Sequence, residues 1–275
     1  MRIRFRFVKL GKIRFTSQRD VARMWERALR RAELPLAYTE GFSPRPQLSF
    51  GLALPTGCES LAEYLDVVLD DRRPETAAVD LDTLPAVLSG LLPEGVDVEE
   101  AALVDRRDGS LQQRVTSCSW TMSFAGISRA ALVDRVGSLL AAESVPIVRE
   151  RKGRQEHDDL RPSVLALEVC PPRSGAGEST GPGSVAVVAE LATQPRGVRP
   201  VELVRGLIAV SDVPAEGRAA DATAGDGGST GTPVLDRACR TKQWIERDGR
   251  REEPLERRGA APAAGRAPHA LERAS

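Results

Sequence analysis

Two proline-bearing loops hold the residue types in this chain best suited to chemistry. The first is Glu40-Gly41-Phe42-Ser43-Pro44-Arg45-Pro46. Pro44 and Pro46 fix φ and press Ser43 and Arg45 toward extended backbone, so Arg45 is offered on a pre-shaped loop. A loop this restricted either carries function or is a rigid hairpin connection, and in a chain with few aromatic residues Phe42 and Tyr38 are the ones placed for stacking on a base. The second loop is Lys152-Gly153-Arg154-Gln155-Glu156-His157-Asp158-Asp159-Leu160-Arg161-Pro162. A general base or nucleophile can be drawn from His157, Asp158 or Asp159. Lys152 and Arg161 can equally contact a ligand, or the Asp-x-Arg-Pro run can close as a turn. A third set is cationic and lies near the N-terminus: Arg4, Arg6, Arg14, Arg19 and Arg23. These residues are the candidates for phosphate contacts. Asp20, in Ser17-x-x-Asp20, is a second candidate carboxylate, although its place before an apolar periodic run also makes it a helix cap.

Other chemistries lack their residues. Cys58, Cys118, Cys170 and Cys239 are widely spaced, with only His157 and His269 besides, so no zinc-type spacing or C-x-x-C occurs. No G-x-x-x-x-G-K-[ST] phosphate loop, G-x-G-x-x-G turn or G-x-S-x-G elbow is present. The expectation is a chain without metal or cofactor. The 275 residues carry a formal net charge of zero, so no global field draws in nucleic acid. The charge is nevertheless unevenly placed. Basic residues dominate Met1 to Arg31, where Asp20 and Glu26 are the opposing acids, whereas acids outnumber arginines from Glu59 to Asp108. There is no apolar run of membrane length, and the chain opens directly on an alternating segment, which leads us to expect a cytoplasmic protein with reduced thiols.

The elements that must position these residues read as follows. Arg2-Ile3-Arg4-Phe5-Arg6-Phe7-Val8 alternates, which predicts a strand with an apolar face and a cationic face, continued in extended form by Ile13-Arg14-Phe15. Ser17 caps a helix to about Ala32, with Val21, Trp25, Ala28, Leu29 and Ala32 as its apolar stripe and arginines over the remainder. Strands are expected at 36–39, 47–54 and 63–69, a helix at 81–92 and a strand at 96–104. A second pass begins near Cys118, with a strand at 119–124, a helix at 128–142, a strand at 146–151, a polar loop at 152–162 and strands at 163–170 and 185–191. A helix at 201–210 follows, then a last strand or helix at 235–246 carrying Trp244. The fold class expected is α+β, built as two tandem ferredoxin-like (βαββαβ) halves. The halves span residues 1–108 and 117–246, with flexible Gly-rich inserts at 171–184 and 215–233 and a disordered tail at 247–275. If the halves pack about a pseudo-twofold axis, Arg45 and Arg161 face a shared cleft.

Several stretches together resemble a known family. They are Lys9-Leu10-Gly11-Lys12-Ile13-Arg14-Phe15 with Ser17-x-x-Asp20, Glu26-Arg27-Ala28-Leu29-Arg30-Arg31-Ala32, Glu40 to Pro46 with Ser49-Phe50-Gly51, Ala53-Leu54-Pro55-x-Gly57, Glu63-Tyr64-Leu65-Asp66, and Asp159-Leu160-Arg161-Pro162. This set is similar to the bacterial radical-SAM-linked family, a domain of unknown function found fused to a radical SAM domain or encoded separately. The likeness is dense to about residue 70 and thinner to 245. Where that family usually has His in the Ser-x-x-Asp segment, this chain has Gln18. The resemblance implies a stand-alone form and a setting in RNA modification or ribosome-related work, with a separate radical SAM enzyme as partner. The expected function is thus an accessory that binds RNA (tRNA or rRNA) and presents it to a modifying enzyme. Arg4, Arg6, Arg14, Arg19 and Arg23 would hold phosphates, and Phe42, Ser43, Arg45, Lys152 and Arg161 would line a central site. The alternatives are an RNA-modifying enzyme using Asp159 or Asp20, and a protein-interaction adaptor.

Overall fold

A computed structural model describes residues 1–151, 153–171, 184–210, 231–247 and 249–255. The elements in chain order are β1 (Arg2–Lys9), a 3-10 turn (Gly11–Phe15), α1 (Gln18–Arg31), β2 (Leu48–Phe50) and β3 (Glu59–Val68). A second 3-10 turn (Pro74–Ala78), α2 (Leu84–Leu91), β4 (Val98–Leu103) and the one-turn α3 (Leu111–Arg114) follow. Then come β5 (Val115–Ala125), α4 (Arg129–Ala141), β6 (Pro146–Arg151), β7 (Arg154–Asp159), a third 3-10 turn (Arg161–Ser163) and β8 (Val164–Val169). The described chain closes with β9 (Val185–Ala192), α5 (Pro200–Ala209), β10 (Val234–Arg247) and β11 (Arg250–Glu252).

One mixed sheet runs through the molecule in the order β4-β1-β3-β10-β5-β9-β8, with β2 paired to β3 and β11 to β10. The β4, β1, β3 and β2 pairings are all antiparallel, as are those of β10, β5, β9 and β8. The two groups of strands meet in a short parallel contact, Cys239 opposite Glu59 and Arg240 opposite Ser60. Beyond that contact the strands part. The C-terminal half of β3 takes β2 on its freed edge, Leu48 opposite Val67, and the C-terminal end of β10 takes β11, Ile245 opposite Glu252. Each otherwise open edge is thereby partly filled.

The core changes face within β3. Ile3, Phe5 and Phe7 of β1 join Leu65 and Val67 of β3 under α1 and α2, with Trp25 at the centre. Ala62 and Tyr64, of the opposite parity on the same strand, join the cluster formed by β5, α4 and α5. Alternation along a strand therefore places the helices of the N-terminal and C-terminal segments on opposite faces of one sheet.

Several expected elements differ in the structure. Ile13-Arg14-Phe15 is part of a 3-10 turn rather than extended, because the chain must turn between β1 and α1 within eight residues. Leu36 and Tyr38 make isolated bridges to Leu69 and Pro46 in place of a strand. The polar loop at 152–162 is in its first part a strand, β7, which pairs residue for residue with β6. Within the tail expected from residue 247, β11 and Glu253–Leu255 pack on the sheet. Most of both Gly-rich inserts and residues 256–275 lie outside the described residues.

Candidate nucleic-acid interface

Helix α1 begins where the Ser17 side chain accepts the Asp20 N–H, while Ser17 Oγ donates to Asp20 Oδ2 at 2.7 Å. That hydroxyl bond, with Arg23 beside it, holds the exposed Asp20 carboxyl below its ordinary range. Asp20 is a cap. Val21, Trp25, Ala28 and Leu29 bury the inner face, and the Trp25 ring meets Phe7 at 5.0 Å and Phe5 at 5.7 Å. Because the inner stripe is apolar, Arg19, Arg23, Arg27, Arg30 and Arg31 all lie exposed on the outside. The ion pairs on this helix are Arg23–Asp20 at 3.2 Å and Arg30–Glu26 at 3.3 Å. Arg19, Arg23, Arg27 and Arg31 recur every four residues, a rise of about 6 Å each, which resembles the separation of successive phosphates on a strand. At the N-terminal end of the row, Arg14 lies 4.5 Å over the ring of Phe15, itself 63 % exposed. Arg14 also stands 3.7 Å from the buried Glu59, which offsets part of its charge.

Past the C-terminal end of α1, residues 37–47 form a closed hairpin. The Gln47 N–H donates to Ala37 O at 2.9 Å, Thr39 N–H to Arg45 O at 2.8 Å, and Arg45 N–H to Thr39 Oγ1 at 3.1 Å. Gln47 Nε2 donates to Tyr38 O at 3.0 Å. Gly41 turns the tip with φ near 121°, a conformation costly for residues with a Cβ. Phe42, Ser43 and Arg45 are all exposed at this tip. At the hairpin's base a groove of about 510 Å³ is lined by Arg2, Thr39, Gln47, Ser49, Asp66 and Arg106, with Leu48 and Val68 as its apolar floor. A second hollow of about 290 Å³ continues past Gln47 and Arg106 to Asp70, Asp71 and Arg72.

Other candidate residues lie elsewhere. Arg4 and Arg6 are 2 % and 3 % exposed, so the cationic face of β1 is not a surface for phosphate. Arg4 holds Asp66 through Nε at 2.7 Å and Nη2 at 2.9 Å, and donates from Nη1 to Pro254 O at 3.1 Å. Arg6 meets Glu99 at 3.2 Å, Glu253 at 3.1 Å, the Tyr64 hydroxyl at 3.1 Å and Leu255 O at 3.2 Å. The physical reason for the correction is cover. The C-terminal residues 253–255 lie over this side of the sheet and satisfy the guanidiniums with carbonyls and a carboxylate, as burial of charge requires.

The second loop divides in the same way. Asp159 Oδ1 accepts the Val145 N–H at 2.8 Å and the Arg161 N–H at 2.9 Å. Burial raises its carboxyl, but these two backbone bonds outweigh it and leave the pKa below the ordinary value. Arg161 donates to Leu140 O from Nε and Nη2 and to Val164 O from Nη1. It is therefore a structural clamp beside β8. The shared cleft with Arg45 does not form: the hairpin adjoins β3, while β8 lies four strand positions further along the sheet, about 19 Å. His157 is exposed on β7, and Lys152 lies outside the described residues.

The thiols are quiet. Burial pushes Cys118 up to about 11 and Cys239 up to about 12, and raises Cys58 as well, so these thiols stay protonated at neutral pH. The residues that sequence reasoning passed over as site candidates are Arg27, Arg31, Arg106, Thr39, Gln47 and Ser49. The period of α1 carries the first two, since whatever lies opposite the apolar stripe is exposed. The groove residues carry no sequence signal, because β2 pairing with β3 brings them together.

A family model described as an uncharacterized protein conserved in bacteria, DUF2344, matches residues 2–200. No curated protein matches the chain.

Proposed function

We infer that this chain, which belongs to the bacterial DUF2344 family of uncharacterized proteins, is an RNA-binding accessory protein that holds tRNA or rRNA through its phosphate backbone. The observation that carries the reading is the α1 row, Arg19, Arg23, Arg27 and Arg31, exposed at helical intervals, with Asp20 paired to Arg23 and Glu26 taken by the neighbouring Arg30. Arg14 with Phe15, and Arg45 on its hairpin, extend the same electropositive strip. Such contacts position a nucleic acid without reading its sequence. The resemblance to radical-SAM-linked proteins supplies the rest of the proposal. A separate radical SAM enzyme modifies the RNA that this protein presents, in the cytoplasm. The architecture we propose is two ferredoxin-like halves, residues 1–108 and 117–246. The orders β4-β1-β3-β2 and β10-β5-β9-β8 support it, each running fourth-first-third-second when the separate β6-β7 hairpin of the second segment is left out of the count.

The test is RNA binding across a salt series. Affinity should fall steeply between 50 and 200 mM salt, and Arg27→Ala/Arg31→Ala should weaken binding and reduce the log–log slope by about 1.4, or roughly 0.7 per lost contact on a single strand. The double variant should keep the stability of the parent to within about 0.5 kcal/mol, since both side chains are exposed. RNA affinity that does not change with salt would refute the reading.

A further inference from the structure

Phe42 is 110 % exposed and belongs to neither core cluster. An aromatic ring held wholly in water forgoes the stabilisation that burial brings. Here a rigid device holds it there. The arms of the hairpin are locked by the Gln47–Ala37 and Thr39–Arg45 backbone bonds and the Arg45–Thr39 side-chain bond, and Pro44 and Pro46 stiffen one arm. Tyr38, 44 % exposed, is a second ring on the same hairpin. Glu40, Ser43 and Arg45 flank Phe42 in the chain, and the groove at the hairpin's base combines Arg2, Thr39, Gln47, Ser49, Asp66 and Arg106 with an apolar floor of Leu48 and Val68. A ring followed by a hydroxyl and a guanidinium at the tip of a stiff hairpin suits a nucleic-acid base, which brings its own π-face and a phosphate for Arg45. Ala37 is six steps along the chain from Arg31, a reach of at most about 20 Å. The base of the hairpin is therefore within the span of a single strand bound to the C-terminal end of α1.

We propose that the hairpin at residues 37–47 receives an unpaired base of the bound RNA, stacked on Phe42, with Arg45 on the adjoining phosphate. This rests on the RNA-binding reading and adds to it a preference for single-stranded or looped RNA over duplex. The experiment is fluorescence anisotropy with a labelled 12-nucleotide single strand and the blunt duplex of the same sequence. Wild type, Phe42→Ala, Phe42→Trp and Arg27→Ala/Arg31→Ala are compared in a salt series. Phe42→Ala should weaken single-strand binding about tenfold with its salt slope unchanged, and leave duplex binding as it was. Phe42→Trp should restore the single-strand affinity, while the double arginine variant weakens both ligands. Because Phe42 makes no core contact, its variants should melt with the wild type, and this is checked by Tm. Equal single-strand affinity of Phe42→Ala and wild type, with the arginine variant impaired, overturns the inference and leaves the RNA reading standing. Absence of RNA binding by wild type overturns both. If Phe42→Ala keeps its RNA affinity but no longer co-purifies a protein partner, the ring belongs to a protein pocket and the inference falls.

Discussion

Asp159 accepts two backbone N–H groups, from Val145 and Arg161, and in doing so joins the start of β6 to the turn before β8. A carboxylate used this way is better described by its effect on folding than by any reaction. Its folded pKa lies below its unfolded one, because the N–H bonds favour the charged form more than burial opposes it. The stabilisation is therefore complete above the unfolded carboxylate value near pH 4, and is lost as pH falls through the lower folded value. Asp159→Asn should lower stability at pH 7 by about 1–2 kcal/mol, and its denaturation midpoint should converge on that of wild type as pH falls below the ordinary carboxylate range. A gap that stays constant with pH would show that the charge is immaterial. The same reasoning covers Arg4 and Arg6. Their ion pairs with Asp66, Glu99 and Glu253 are buried, so they maintain the fold and are not available to a ligand.

At the scale of the element, α1 does two jobs with two faces. Its inner face rests on Trp25, which is fully buried against Phe5 and Phe7 while its indole N–H finds no acceptor. Trp25→Ala should cost about 3–5 kcal/mol through lost contact and a cavity. Trp25→Phe should cost less than about 1.5 kcal/mol, since it keeps a ring and removes the unsatisfied donor. Denaturant titration of the two variants separates the contributions; equal losses would mean that the indole N–H is satisfied in solution. The outer face carries arginines whose contribution to stability is small, which lets them be exposed for binding. The helix thus fixes where the guanidiniums stand, and the register of Trp25 fixes which of them face outward.

At the scale of the molecule, the two groups of strands are tied through a seam of buried charge. Arg240 Nη2 donates to Glu63 Oε1 at 2.6 Å and to Leu52 O at 2.8 Å. Arg237 grips Glu59 through Nε at 2.7 Å and Nη2 at 2.9 Å, and Gln243 Nε2 donates to Ala62 O. Separating the groups would break these pairs and uncover Ala62 and Tyr64 of β3, which pack in the core of the other group, so the chain is expected to unfold in a single cooperative transition. Calorimetry tests this: two resolved transitions, one removed by truncation after residue 108, would show independent units. The seam also explains why the helices lie on opposite faces. Odd and even residues of β3 serve different clusters, so the sheet is shared while the cores are separate.

Much of this was legible in the residues alone. The Arg-Ile-Arg-Phe-Arg-Phe alternation makes a strand, the Val21-Trp25-Ala28-Leu29 stripe makes α1, and Ser17 starts it; each depends on neighbours a few positions away, where periodicity is decisive. The stiffness of the 40–46 loop follows in the same way from its prolines. What tertiary structure decided was exposure. Arg4 and Arg6 of β1 look like a cationic surface until residues 253–255, some 250 positions away, cover them. Arg161 looks like the counterpart of Arg45 until β8 takes the far edge of the sheet and the Leu140 and Val164 carbonyls occupy its guanidinium. Local patterns set which face a side chain takes, but whether that face meets water or another segment depends on long-range pairing, which leaves no period in the sequence.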